Sequence, residues 1–161
     1  MATADEMAVN ATAQLTDLAA AIQNQKLEYD QYCKDDKVPP SEVTYNYAIL
    51  LIASPSKDQV IEGVDLLELL RGVMSDGGAV PKWYSRSKLL QRIVLAHLKL
   101  GQYVCAKDAV DEWLRYEPYN DMARLLHSLV LDRVSHDGLI GTAVLGLLGA
   151  GLLFGIFRAF K

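Results

Sequence analysis

From Gly138 to Phe157 the chain runs for 20 residues without one charged side chain. Twenty helical residues span about 30 Å, the thickness of a bilayer's hydrocarbon core. In water, a helix that is apolar on every face has to be buried all round. The 137 residues in front could hide one such helix. The block, however, holds six glycines, and each costs up to about 1 kcal/mol against alanine in a soluble helix. Membrane helices tolerate glycine and use it for close packing. Residues 137–157, with Gly138 and Gly141 at their start, therefore read as a transmembrane anchor. Gly151 and Gly155 have the small-residue spacing that supports self-association of membrane helices. Arg158 and Lys161 make residues 158–161 a short basic end.

The other end carries no targeting pattern. Asp5, Glu6 and Asp17 precede the first basic residue, Lys26. A secretory signal needs a basic start and an apolar core, and a mitochondrial presequence needs arginines and few acids. Met1-Ala2 lacks the glycine needed for myristoylation. The expected topology is a tail anchor inserted after synthesis, with residues 1–137 in the cytosol. Without Arg158 and Lys161, 14 Lys and Arg face 20 Asp and Glu. That acidic balance argues against general nucleic-acid binding, which runs on phosphate neutralisation. Cys33 and Cys105 cannot form a disulfide framework and read as reduced thiols.

The front part has helical periodicity and no sustained alternation of apolar and polar residues. Leu15, Leu18 and Ile22 make a stripe in a first helix over about 5–25, followed by a short helix over 28–34. Pro39 and Pro40 break the chain, and Ser41 is placed to cap a helix to about Ala53. Ser56 with Gln59 has capping-box spacing and opens a helix carrying Val60, Ile61, Val64, Leu67 and Leu70. Gly72 to Pro81 reads as a loop. Leu89, Ile93, Leu98 and Leu100 mark a helix over 85–100, which Gly101 stops. A further helix covers 103–116, with Ala106, Ala109, Val110, Trp113 and Leu114 inward. The last covers about 120–134, with Met122, Leu125, Leu126, Leu129 and Val130 inward and Asn120 as its cap.

Helix pairs joined by short turns invite the tetratricopeptide template, two antiparallel helices in 34 residues. Residues 87–120 fit it without a gap. Gly101 holds the turn, Tyr103 packs beside it, Ala106 is small at the helix crossing, and Pro118 ends the second helix. A looser unit begins at Ser41, with Ala48 and Gly63 at its two small positions. Residues 1–40 form an N-terminal arm and helix, and 41–136 hold two tetratricopeptide-like units with a capping helix. The fold class is all-α: a tetratricopeptide-like bundle of about six helices plus the membrane helix. Template positions place Tyr45, Ile49, Ile52, Leu95, Leu98 and Lys99 on the concave side, as candidate partner contacts.

No chemistry accompanies the helices. His97, His127 and His136 have no ligand set spaced for zinc. Phosphate-cradling loops, dinucleotide fingerprints and nucleophile elbows are missing from the sequence. Asp108, Asp111, Glu112 and Glu117 read as a solvated helix face. The expectation is a protein without enzyme activity, cofactor or metal.

The pieces resemble one family. Tyr45-Asn-Tyr-Ala48, the glycine-centred run Ile61 to Leu70, Leu98-Lys-Leu-Gly-Gln-Tyr103, Ala106, Glu117-Pro118 and Asp137-Gly-Leu-Ile-Gly141 follow the order of the mitochondrial fission 1 protein family. The match covers about residues 41–157. Gly72 to Tyr84 is longer than the family's usual turn. The resemblance implies a tail-anchored adaptor of the outer mitochondrial membrane, with the peroxisomal membrane as a second destination. It implies partners in a dynamin-related GTPase or its fission adaptors, held in the concave groove. Tyr45, Ile49, Leu95 and Leu98 would be apolar contacts and Lys99 a rim charge. The N-terminal arm, folded over the groove, would inhibit binding. The alternative is another tail-anchored helical receptor, or an apoptosis-type regulator, of the same membrane.

Overall fold

Prolines and glycines punctuate the chain into helices whose apolar stripes then decide how they stack. The computed structural model describes residues 4–34, 37–75 and 85–135. Among these are six helices and no strand: α1 (Ala4–Lys34), α2 (Ser41–Ala53), α3 (Lys57–Ser75), α4 (Arg86–Leu100), α5 (Tyr103–Tyr116) and α6 (Asp121–Ser135). Each helix packs on the next in sequence, and α4 also touches α6.

Local chemistry explains the boundaries. The Ser85 side chain accepts from the Lys88 N–H and caps α4, whose other end closes on Gly101 at φ 72°. That left-handed conformation disfavours any residue with a Cβ. Gln102 N–H then donates to the His97 carbonyl at 2.9 Å, so α5 starts at once. The Asn120 side chain accepts from the Ala123 N–H at 3.0 Å and caps α6.

Four boundaries differ from expectation. The first two helices are one, because the stretch across Lys26, Leu27 and Glu28 holds no breaker. Lys26 pairs with Asp30 at 3.5 Å across the expected gap. At α2, Pro40 takes the capping position and Ser41 is the first helical residue, without a side-chain cap bond. The expected Ser56–Gln59 box does not form, since Gln59 accepts from the Ser54 hydroxyl instead. Finally, α3 continues through Gly72 to Ser75, which shortens the expected loop. The rest of that loop, residues 76–84, and the anchor residues Gly138, Gly141, Gly151, Gly155, Arg158 and Lys161 lie outside the described residues. No described helix is long and apolar enough to cross a membrane.

The core forms around α2, which is buried at Val43, Thr44 and every residue from Tyr47 to Ala53. Leu18 and Ile22 of α1 cover one side of it, and the Tyr29 and Tyr47 rings meet with centroids 5.3 Å apart. The Tyr47 hydroxyl donates to Glu62 of α3 at 2.9 Å. Burial, with that bond second, pushes the Tyr47 phenol above its ordinary pKa. On the far side α3 crosses α2 at Gly63. A Cβ there would sit 2.8 Å from Ile52 Cγ2 and 2.9 Å from the Ala48 carbonyl oxygen. Ala106 and Val110 of α5, which packs on α4, are both fully buried.

Four residues expected inside face water: Leu15 at 45% exposure, Ile61 at 38%, Met122 at 45% and Leu125 at 64%. In α6 the buried stripe is Ala123, Leu126 and Val130. It is narrower than the apolar pattern suggested because no further helix covers α6 within the described residues.

Gly63→Ala should destabilise the protein despite alanine's better helix propensity. The added methyl meets a backbone oxygen that cannot turn away, and overpacking of this kind costs about 1–3 kcal/mol. Thermal unfolding followed by circular dichroism should show a Tm several degrees lower, and an unchanged or higher Tm would contradict the close approach.

Candidate functional site

Among the described residues, helices α2 and α4 present matching, partly exposed faces. On α2, Glu42 is exposed, Tyr45 and Asn46 are half-buried, and Ile49 is nearly closed off. On α4, Lys88 is exposed, Gln91 and Arg92 are half-buried, and Leu95 is nearly closed off. The four pairs keep one constant offset along the chain. Exposure therefore repeats residue by residue, as expected for corresponding helices of two stacked repeats. Lys99 fixes the two faces side by side. Its Nζ donates to the Ile52 carbonyl at 2.8 Å and to the Ser54 carbonyl at 2.6 Å. Both acceptors are at the C-terminal end of α2, where carbonyls lack helical partners and a cation is favoured. Burial lowers the Lys99 pKa.

The candidate contacts thus divide. Tyr45 stands at the surface, Ile49 and Leu95 form a floor, and Ile52 and Leu98 lie beneath it at 1% and 3% exposure. Lys99 is a clamp between helices. Ala48 and Ala106 are fully buried, Gly63 and Gly101 occupy the close crossing and the turn, and Tyr103 packs against the core. Pro118 sits exposed in the turn after α5.

Of the acidic residues expected on a solvated face, Asp108 is exposed, but Glu112 and Glu117 hold helices together. Glu112 of α5 bridges Arg71 of α3 and Arg86 of α4, the latter at 2.8 Å, with its own side chain only 13% exposed. Glu117 accepts from the Ser87 hydroxyl, from Trp113 Nε1 at 3.2 Å and from Asn120 Nδ2 at 2.7 Å. Those three bonds hold its carboxyl below the usual range. Glu68 is likewise lowered, first by its contact with His97 and then by Arg71. His97 is buried, with Nδ1 2.7 Å from Gln102 Oε1, so it is a satisfied core histidine. His127 faces Asp111 at 3.1 Å. Among the described residues no cluster of His, Cys, Asp or Glu could hold a metal, and Cys33 and Cys105 are exposed free thiols.

Among the described residues the geometry is that of stacked helix pairs with one partly exposed side. Residues 93–139, from the middle of α4 past the end of α6, match the model of the Fis1 C-terminal tetratricopeptide repeat. The chain is 32% identical over 133 residues to the mitochondrial fission 1 protein of Candida albicans, covering 80% of each chain. The chain belongs to the mitochondrial fission 1 protein family. The Gibberella zeae protein of the same name is 32% identical over 130 residues, 81% of this chain and 78% of that one. The FIS1-related protein fis-2 of Caenorhabditis elegans is 30% identical over 142 residues, 88% and 89%.

Within this family fold, sequence reasoning missed Lys88, Gln91 and Arg92 as members of the partly exposed face, and the exposure of Met122 and Leu125 on α6. The available signal was the 34-residue period. It carries Lys88, Gln91 and Leu95 onto Met122, Leu125 and Leu129 when the second unit is continued into the capping helix.

Two tests follow from the polar links. Lys99→Met should leave two carbonyls without a donor and cost about 1–3 kcal/mol in urea unfolding; an unchanged midpoint would show that the clamp is dispensable. Glu117 contributes stability above the ordinary carboxylate pKa, and loses it as pH falls through its lowered value. Glu117→Gln should therefore destabilise near neutrality, with the difference from the parent closing in acid. A gap that persists at the lowest pH would assign the loss to packing.

Proposed function

We propose that the protein is a tail-anchored adaptor of the outer mitochondrial membrane. Residues 137–157 span the bilayer once, residues 158–161 lie beyond it, and the helical domain of residues 41–136, with its arm at 1–40, stays in the cytosol. It acts without catalysis. The partly exposed faces of α2 and α4 form a groove with Tyr45, Ile49 and Leu95 at its surface, and Ile52, Leu98 and Lys99 hold that surface in shape from beneath. A dynamin-related GTPase, or a fission adaptor that carries it, docks there. Anchoring turns weak groove binding into a high local concentration at the membrane, where the GTPase assembles and constricts. The peroxisomal membrane is a second site of the same action, and Gly151 with Gly155 supports pairing of anchors.

The observation that supports this reading is the repeated, partly exposed face on two helices of a fission-family fold, followed in the sequence by 20 uncharged residues. Imaging of the full chain tagged at its N-terminus, beside a version ending at Asp137, tests it. The full chain should ring mitochondria and the shortened one should fill the cytosol. Cells lacking the protein should have long, fused mitochondria. Equal distribution of the two versions would remove the anchor, and normal mitochondrial shape would remove the fission role.

A further inference from the structure

The helical domain ends close to the uncharged run. Ser135 closes α6, and the run begins at Gly138, three residues later. Three residues reach at most about 11 Å when fully extended. The headgroup layer on one side of a bilayer is about 5–8 Å thick. A membrane span over residues 138–157 therefore holds the last turn of α6 at the headgroups or just above them.

The α5–α6 hairpin sets what else stands at that level. The short turn at 117–120 makes the two helices antiparallel, and His127 meets Asp111 at 3.1 Å. The same register puts Lys107 level with Leu131, and Val104 level with Val134. All three apolar side chains face water: Val104 is 69% exposed, Leu131 40% and Val134 46%. The charged residues around them, Lys107, Asp108, Asp132 and Arg133, are two of each sign, and Lys107 is held by Asp111 at 2.5 Å. The end of the hairpin thus offers an apolar patch without net charge.

Resting on the adaptor reading above, we propose that Val104, Leu131 and Val134 form a seat in the interface of the bilayer that holds the anchor, so that the start of α5 and the end of α6 touch lipid together. The anchor makes this contact intramolecular, so a small apolar gain suffices. Attachment through α6 alone leaves the domain free to tilt. A second point of contact on α5 fixes the tilt, and with it the height of the α2 and α4 faces above the membrane. Apolar burial drives the seating, which is therefore insensitive to salt and needs no anionic lipid.

The two native thiols sit at opposite ends of the domain and provide the test. Cys105 is exposed beside Val104. Cys33, also exposed, lies one turn past Tyr29 toward the start of α2, the Tyr29 ring meeting Tyr47 of α2. The other end of α2 is the one that Lys99 holds beside the end of α4. The full chain with Cys33→Ser or Cys105→Ser is labelled with a nitroxide at its remaining thiol. It is then placed at one copy per nanodisc of neutral phosphatidylcholine. Electron paramagnetic resonance compares relaxation by oxygen, which concentrates in lipid, with relaxation by a water-soluble nickel chelate. The Cys105 label should favour oxygen and the Cys33 label nickel, at low and high salt alike. Val104→Asp with Val134→Asp should raise nickel relaxation at Cys105 about tenfold, the worth of one apolar side chain moved between water and an apolar phase. Helical circular dichroism should stay unchanged, because both positions are exposed.

Equal nickel access at Cys105 and Cys33 would overturn the proposal. So would shielding of Cys105 that survives both substitutions, since the tether alone would then explain it. Shielding that needs two copies per disc would overturn it as well, because a second chain would then be the cover. A label at Ala150→Cys, in a chain with both native thiols replaced by serine, separates the seat from the adaptor reading. Nickel access there removes the anchor and the adaptor with it. Oxygen access there, with an open Cys105, keeps the adaptor and removes only the seat.

Discussion

The helical stack depends on one close approach. At Gly63 the axis of α3 comes so near α2 that even a methyl group would meet the Ala48 carbonyl and the Ile52 side chain. This contact brings α2 into the centre of the domain, buried on three sides, and leaves it one free strip. In the second pair, Ala106 of α5 is fully buried. Small residues at crossings let large ones fill the flanks, where Leu51, Leu67, Leu89, Leu90 and Ile93 are all sealed from water.

Close approach sets distance but not alignment, and polar links supply the second. Lys99 ties the end of α4 to the last carbonyls of α2. Glu112 joins α3, α4 and α5, while Glu117 joins the start of α4 to the turn before α6. Each link is partly shielded, and each carboxylate or ammonium meets several partners. These bonds are worth more than exposed ion pairs, which contribute about 0–1 kcal/mol. Their directionality specifies which residues of α2 and α4 stand side by side. The free faces are consequently a product of the same links, and a rigid strip is better prepared for a ligand than a mobile one.

Much of this was legible from pattern alone. The helix starts at Ser85 and Asn120, the stop at Gly101 and the stripes of α4 and α5 follow from local chemistry, which a linear sequence carries intact. Readings failed where a residue had two competing partners. Ser56 and Gln59 had the spacing of a capping box, but the Ser54 hydroxyl was nearer to Gln59. Glu112 and Glu117 had the look of a solvated face, but Arg71, Arg86 and Ser87 come from helices far away in sequence. Met122 and Leu125 had helical spacing with Leu126, but spacing does not tell which side of an end helix will find a neighbour.

The sequence by itself determined that the chain is helical, that its helices pair, and that an uncharged run long enough for a membrane follows them. Those properties rest on periodicity, turn chemistry and composition, all of which act over a few residues. Only the tertiary structure decided that Lys99 is a clamp, that Ile52 and Leu98 are covered, and that Lys88, Arg92, Met122 and Leu125 remain open. Whether a side chain reaches water depends on which other helix lies over it. That is settled by the crossing at Gly63 and the links between repeats, not by the residue's own neighbours in the chain.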